Sequence, residues 1–103
     1  MIDEIYKHFE SEYPREGCGV IIEGDKFIPC KNIAEDNYTF KFCPDEYINL
    51  VMRYKIKAIV HDHVEASNTP SQTDLDNCKA LNLPYYIFTY PDMSLNIVDP
   101  KEL

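Results

Sequence analysis

The sequence has few basic residues and no long hydrophobic run, and each shortage excludes a class of protein. Lys and Arg number 10 against 18 Asp and Glu, so the formal net charge is −8. Nucleic acids and anionic membranes are bound through clustered Lys and Arg, and this balance therefore argues against both as partners. Apolar runs extend over only a few residues, whereas a transmembrane helix needs about 20.

Glycine is also scarce, with 3 residues in the chain, and there is no internal repeat or Gly/Ser-rich linker. The 103 residues suit one domain of ordinary size, so we expect a single domain over 1–103. The N-terminal segment lacks the basic start and apolar run of a signal peptide, which favours a cytoplasmic protein. The four cysteines form no C-x-x-C pair, which argues against a zinc ribbon or redox motif, and we expect reduced, mostly buried thiols.

Hydrophobic periodicity and turn residues predict an α/β (α+β) domain with a single mixed β-sheet flanked by helices. The predicted order is α-β-β-β-α-β-α-β-β. Helices are predicted over 2–11, 44–54 and 70–82, and strands over 18–22, 26–30, 38–42, 56–62, 85–90 and 94–98.

The strongest predicted strand ends in His61-Asp62-His63, and strand alternation sends both imidazoles to one face and Asp62 to the other. Neutral His is a preferred zinc ligand, and Asp74, in the first turn of the next predicted helix, can fold back as a third ligand. Two His and one carboxylate leave the fourth tetrahedral position open for water, as in catalytic zinc sites. Plainer interpretations remain, since Ser71-x-x-Asp74 is also a helix capping box and His-x-His can be a solvated strand end.

Taken together, His61-x-His63 and Ser71-x-x-Asp74 resemble the JAMM motif of the MPN/JAB metalloprotease family. That motif also contains an upstream glutamate beside an early strand, and Glu16 stands at its position in this sequence. The resemblance covers about 14–98.

One branch of this family is the most similar to the chain. Cys78, expected as a buried helix residue, is followed by Leu81-Asn82-Leu83-Pro84 and an apolar strand. This segment is similar to the JAB domains of phage tail assembly proteins. Similar small domains occur in bacterial enzymes that trim ubiquitin-like sulfur carriers.

The resemblance implies an MPN/JAB, cytidine-deaminase-like fold and a zinc-dependent metallopeptidase or isopeptidase. His61, His63 and Asp74 would bind Zn²⁺, which activates a water for attack on an amide. Glu16 would move the proton of that water to the leaving amine, and Ser71 would donate a hydrogen bond to the developing oxyanion. The implied partners are a protein or peptide substrate, phage tail proteins or a ubiquitin-like protein, in the host cytoplasm or the virion tail.

Two alternatives stay open. The chain can be a non-catalytic tail or scaffold protein that retains the fold and works by binding. A zinc deaminase is the other alternative, since His63-Val64-Glu65 matches the H-x-E half of the deaminase signature. The P-C-x-x-C half is missing, which argues against that reading. Val64 also stands where the MPN/JAB family often has proline.

Overall fold

The computed structural model describes all 103 residues, Met1–Leu103. One sheet of five strands, in the order β2-β1-β3-β4-β5, is flanked by three α-helices. The elements are α1 (Ile2–Glu12), β1 (Cys18–Ile22), β2 (Lys26–Cys30), α2 (Pro44–Arg53), β3 (Ile56–Val64), α3 (Gln72–Leu81), β4 (Tyr85–Tyr90), β5 (Leu95–Val98) and a final 3₁₀ turn (Pro100–Glu102).

The sheet is mixed, as the sequence predicts. Strand β1 is antiparallel to both β2 and β3, β3 is parallel to β4, and β4 is antiparallel to β5. Parallel neighbours need a crossover connection, and α3 supplies it between β3 and β4. This connection brings the end of β3 next to the start of α3, where His63 contacts Asp74.

The core lies on both faces of the sheet. Helix α1 covers one face, where Phe9 packs in a cluster with Val60 of β3. Helices α2 and α3 lie on the other face, where Cys78 of α3 packs in a second cluster with Ile59 of β3. Because side chains alternate along β3, His61 lies on the face of α2 and α3 with Ile59.

The strand predicted over 38–42 is wrong, because only one isolated bridge joins Asn32 and Phe42 there. The apolar alternation has another cause. The rings of Phe40 and Phe42 meet with centroids 5.3 Å apart and pack against the second cluster. The Asn32 side chain, rather than a partner strand, binds the backbone of Thr39 and Lys41. Residues 33–41 therefore form a loop, and this loop borders the candidate site.

The four cysteines are free thiols, and Cys18, Cys30 and Cys78 are buried. Burial raises the pKa of the Cys30 thiol to about 12 and raises that of Cys18 as well, so both stay protonated. These residues serve as small core side chains. No helix of the structure has the length and apolar character to cross a membrane.

Candidate metal centre

Three side chains converge where β3 ends and α3 begins. The Nε2 atoms of His61 and His63 lie 3.3 Å apart. Each also lies 3.2 Å from one carboxylate oxygen of Asp74, His61 from Oδ1 and His63 from Oδ2. A tetrahedral zinc with bonds of about 2.0–2.1 Å sets its ligand atoms about 3.3 Å apart. The donor set and its spacing therefore fit a zinc ion.

Local structure explains this convergence. Strand alternation directs both imidazoles to one side of β3, with His61 fully buried and His63 half-buried. Asp74 is the third residue of α3 and is itself buried. Its backbone N–H donates to Ser71 Oγ at 3.0 Å, and its Oδ2 accepts from the Ser71 N–H at 2.9 Å. This reciprocal capping box fixes the carboxylate beside the two imidazoles.

Neighbouring groups orient the imidazoles. His63 Nδ1 lies 2.8 Å from the Ser67 carbonyl oxygen, which accepts its proton and leaves the Nε2 lone pair for a metal. The ring of Phe40 lies against His61 with centroids 4.5 Å apart. His61 Nδ1 is buried without a partner.

The charge states suit a cation. Burial lowers the pKa of His61, so this imidazole is neutral near pH 7. The hydrogen bond to Asp74 raises the pKa of His63, so a metal that bound there would displace a proton from this imidazole. Burial of Asp74 opposes its ionisation, but hydrogen bonds from the two imidazoles outweigh this and hold the pKa of Asp74 well below its usual range. A neutral imidazole and an ionised carboxylate are the forms that bind zinc.

Glu16, which lies just before β1, lines the same cleft as His63 and Asp74. Only 5% of its surface is exposed. Burial first, and then the carboxylates of Asp62, Asp74 and Asp36, raise the pKa of Glu16 to about 9. At this pKa the Glu16 carboxyl group is protonated near pH 7 in the metal-free protein, and a nearby cation would favour the ionised form that can act as a general base.

The raised pKa of Glu16 has a consequence for stability in metal-free protein. Its folded pKa of about 9 exceeds the ordinary 4.5, so the folded state holds this proton where the unfolded state has lost it. The contribution to stability is therefore complete below pH 4.5 and declines as the pH rises towards 9. We expect Glu16→Gln to be more stable than the parent by several kcal/mol at pH 8 and by about 1 kcal/mol at pH 5. Urea unfolding with a chelator at both pH values measures this. The exposed Glu10→Gln is the matched control, and a pH-independent difference would contradict the expectation.

The structure confirms the capping box of Ser71 and places this residue in the wall of the cleft. Its Oγ accepts the Asp74 N–H and caps α3, as a capping box requires. Ser71 also lines the cleft with Glu16, His63 and Asp74. Because the Oγ contact with Asp74 uses a lone pair, the hydroxyl proton remains available to a ligand in the cleft.

The cleft has a volume of about 190 Å³. The loop over 33–41 forms one wall of the cleft. Because part of this loop was predicted as a strand, its residues were not expected to line the site. Tyr38 on this wall is 86% exposed, an unusual position for a large aromatic side chain. The full lining comprises Glu16, Asn37, Tyr38, Thr39, Phe40, His63, Val64, Ala66, Ser71, Thr73, Asp74 and Asn77.

Two other buried side chains near the site were not selected from the sequence as site residues. Asp62 lies on the opposite face of β3 from the histidines, as alternation predicts, and its Oδ1 accepts the Gly17 N–H at 2.7 Å. Asn32, 5% exposed, donates from Nδ2 to the Glu16 carbonyl oxygen at 2.9 Å. These contacts span 45 and 16 residues of sequence, so no local pattern announces them.

Comparison with known proteins gives a consistent result. The family described as prokaryotic homologs of the JAB domain, Prok-JAB, matches residues 1–98. The tail tip assembly protein K of Escherichia phage N15 is 36% identical over 104 residues, which is 97% of this chain and 43% of that protein. The chain thus spans less than half the length of this relative.

Solved structures share the fold. A JAB1/MPN domain protein from Archaeoglobus fulgidus superposes with a TM-score of 0.69 at 19% identity, covering 97% of this chain and 84% of that one. A protein from Desulfitobacterium hafniense superposes with a TM-score of 0.66 at 23% identity, covering 94% of this chain and 75% of that one. At these identities the likeness concerns the fold.

Proposed function

Because the chain belongs to the Prok-JAB family of prokaryotic JAB-domain homologs, we propose that it is a zinc-dependent hydrolase that cleaves an amide bond. One observation carries this proposal. His61, His63 and Asp74 converge at the spacing of zinc ligands, and His63 and Asp74 line the same cleft as Glu16 and Ser71. A purely structural zinc site has no need of a carboxylate and a hydroxyl beside an open ligand position.

In this proposal, His61, His63 and Asp74 hold the zinc ion. When bound, zinc supplies Lewis acidity, which makes water a nucleophile near neutral pH and polarises a carbonyl oxygen. Three protein ligands leave a position for water or substrate, as catalytic sites require. The His63–Ser67 hydrogen bond keeps the imidazole in the tautomer that ligation needs.

The chain's own groups carry the proton transfers. Glu16 accepts a proton from the attacking water and delivers it to the leaving amine. Burial and neighbouring carboxylates keep Glu16 protonated in the metal-free protein, and a zinc ion held beside it would favour the ionised form that can accept a proton. Ser71 donates its hydroxyl hydrogen to the oxygen that becomes negative as the carbonyl is attacked.

The biological setting follows from the relative in phage N15, which is named a tail tip assembly protein. We propose that this chain is a single JAB domain over 1–103 that acts in phage tail assembly. Its substrate is then a tail protein or another protein of the host cytoplasm, cut at a peptide or isopeptide bond. The acidic balance of the chain disfavours nucleic acid as its ligand.

A cleavage screen tests the proposed function. Tag-free protein, loaded with zinc or stripped of metal, is incubated with a peptide library, and new amino termini are identified by mass spectrometry. We expect cleavage by the zinc-loaded protein and none by the metal-stripped protein. Zinc binding without any cleavage, by the protein alone or with tail proteins added, would overturn hydrolysis and favour the scaffold role.

Substitution of Ser71 separates its two tasks. We expect Ser71→Ala to lower kcat about 100-fold, because one oxyanion donor is lost. Stability should fall by about 1 kcal/mol, because the cap of α3 is lost as well. Steady-state kinetics and urea unfolding measure the two effects, with the exposed Ser11→Ala as control. A stability loss with kcat unchanged would leave Ser71 with a capping role alone.

A further inference from the structure

The single peptide group that joins Glu16 to Gly17 is held at both ends by buried side chains. Its carbonyl oxygen accepts from Asn32 Nδ2 at 2.9 Å. Its N–H donates to Asp62 Oδ1 at 2.7 Å. Asn32 is 5% exposed and Asp62 is fully buried, so water does not compete for either bond. A peptide plane held from both sides fixes the position of the Glu16 Cα and so restricts the directions that its side chain can take.

Asn32 is fitted closely to this task. Its amide has two donor hydrogens and two acceptor lone pairs, and each has a backbone partner of the right polarity. Nδ2 donates to the carbonyls of Glu16 and Thr39. Oδ1 accepts from the N–H groups of Ala34 and Lys41 at 2.9 and 3.1 Å. One side chain therefore ties the Glu16 backbone to both ends of the loop that walls the cleft.

Asp62 binds the other side of this peptide group through Oδ1, whereas its buried Oδ2 has no partner. Its backbone N–H donates to the Gly17 carbonyl oxygen at 3.3 Å, so Gly17 and Asp62 bind each other twice. Gly17 also lies against α1, since a Cβ there would be 2.7 Å from Cδ1 of Phe9. A buried carboxylate is costly, and keeping one to bind a single backbone N–H indicates that the placement of that N–H matters.

We infer that Asn32 and Asp62 are positioning residues, which hold the Glu16–Gly17 peptide group from both ends and so aim the Glu16 carboxylate into the cleft. Neither residue is among the metal ligands, and neither lines the cleft. The inference deepens the proposed function and rests on it for the catalytic task of Glu16. The geometric part concerns this chain alone and can be tested without metal or substrate.

The test uses NMR on metal-free protein. Three-bond couplings from the backbone N and C′ to Cγ report whether Glu16 keeps one χ1 rotamer, and hydrogen exchange reports the Gly17 N–H. The variants are Asn32→Ala, Asp62→Ala and Asp62→Asn, whose amide oxygen can still accept the Gly17 N–H. Asn49→Ala, on the exposed side of α2, is the control for the same substitution.

We expect one Glu16 rotamer and a protected Gly17 N–H in the parent, Asp62→Asn and Asn49→Ala. Asn32→Ala and Asp62→Ala, the two loss variants, should show Glu16 couplings averaged over several χ1 rotamers. Asp62→Ala should also show at least 10-fold faster hydrogen exchange of the Gly17 N–H. Parent-like couplings in Asn32→Ala and Asp62→Ala would overturn the inference. If only one of these two variants folds, the Glu16 couplings of that variant decide whether the inference stands.

Kinetics then separates this inference from the proposed function. With zinc loaded, Asn32→Ala should keep its zinc content and its KM but lose about 10- to 100-fold in kcat, the usual cost of removing a supporting contact. Asp62→Asn should regain most of the kcat that Asp62→Ala loses. A parent without turnover but with the expected couplings would refute the role of Glu16 in hydrolysis and leave the positioning intact.

Discussion

His63→Ala should abolish stoichiometric zinc binding. Tag-free parent protein should carry about one zinc per chain, and the variant close to none. The physical reason is the loss of one of three converging donors, since His63 Nε2 lies 3.3 Å from His61 Nε2 and 3.2 Å from Asp74 Oδ2. Removing even an outer partner of a zinc ligand costs about 10- to 100-fold in affinity, so removing the ligand should cost more than about 100-fold.

Elemental analysis by plasma mass spectrometry gives the stoichiometry, and calorimetric titration with zinc gives the affinity. His8→Ala is the matched control, because His8 is a half-buried residue of α1, which covers the face of the sheet opposite to the other two histidines. The control should bind zinc as the parent does. Equal zinc in parent and His63→Ala, or none in the parent after metal is offered, would refute the site.

Glu16→Gln should lower kcat by about 10³, within the range of about 10²–10⁴ that general acid–base groups contribute. Glutamine keeps the size of the side chain and cannot accept the proton. Zinc content should not change, because Glu16 is not one of the converging donors. The pH dependence of kcat/KM should also lose the limb that reports ionisation of this carboxyl group.

The measurement uses the best peptide from the cleavage screen, with zinc content determined on the same samples. Glu10→Gln, exposed on α1, controls for the loss of one negative charge. Turnover within 10-fold of the parent at equal zinc would remove Glu16 from the mechanism. Glu16→Gln thus tests the proposed general base in the zinc-loaded protein and the stability effect of the buried carboxyl group in the metal-free protein.

Local patterns were enough to predict that His61, His63 and Asp74 lie together. The spacing His61-x-His63 fixes a shared face through strand alternation, and Ser71-x-x-Asp74 fixes a helix start through capping, so neither depends on distant contacts. The mixed sheet and its helices followed from hydrophobic periodicity in the same way. Glu16 stood out only through the resemblance to the MPN/JAB family, since a glutamate after Pro-Arg has no pattern of its own.

The remainder depended on tertiary contacts. The segment 38–42 was predicted as a strand because its aromatic and polar residues alternate, yet Phe40 packs on His61 and the Asn32 side chain binds the backbone. Asn32 has no hydrophobic or turn signature, and its four bonds form only when distant segments meet. Asp62 was expected on the opposite face, but its bond to the Gly17 N–H was out of reach of the sequence.

In the capping box at the start of α3, the Asp74 carboxylate both caps the helix and contacts the candidate metal ligand His63. Asp74 Oδ2 accepts the Ser71 N–H that begins the helix and lies at contact distance from His63 Nε2. A metal that engages Asp74 would therefore bind the same carboxylate that holds the first turn of α3. Thermodynamic linkage then couples metal binding to the stability of this turn. A change that frays the start of α3 would weaken metal binding, and bound metal would protect the turn from fraying. Metal binding should therefore be measurable as slower amide hydrogen exchange in the first turn of α3, although Asp74 is the one residue of this helix among the proposed ligands.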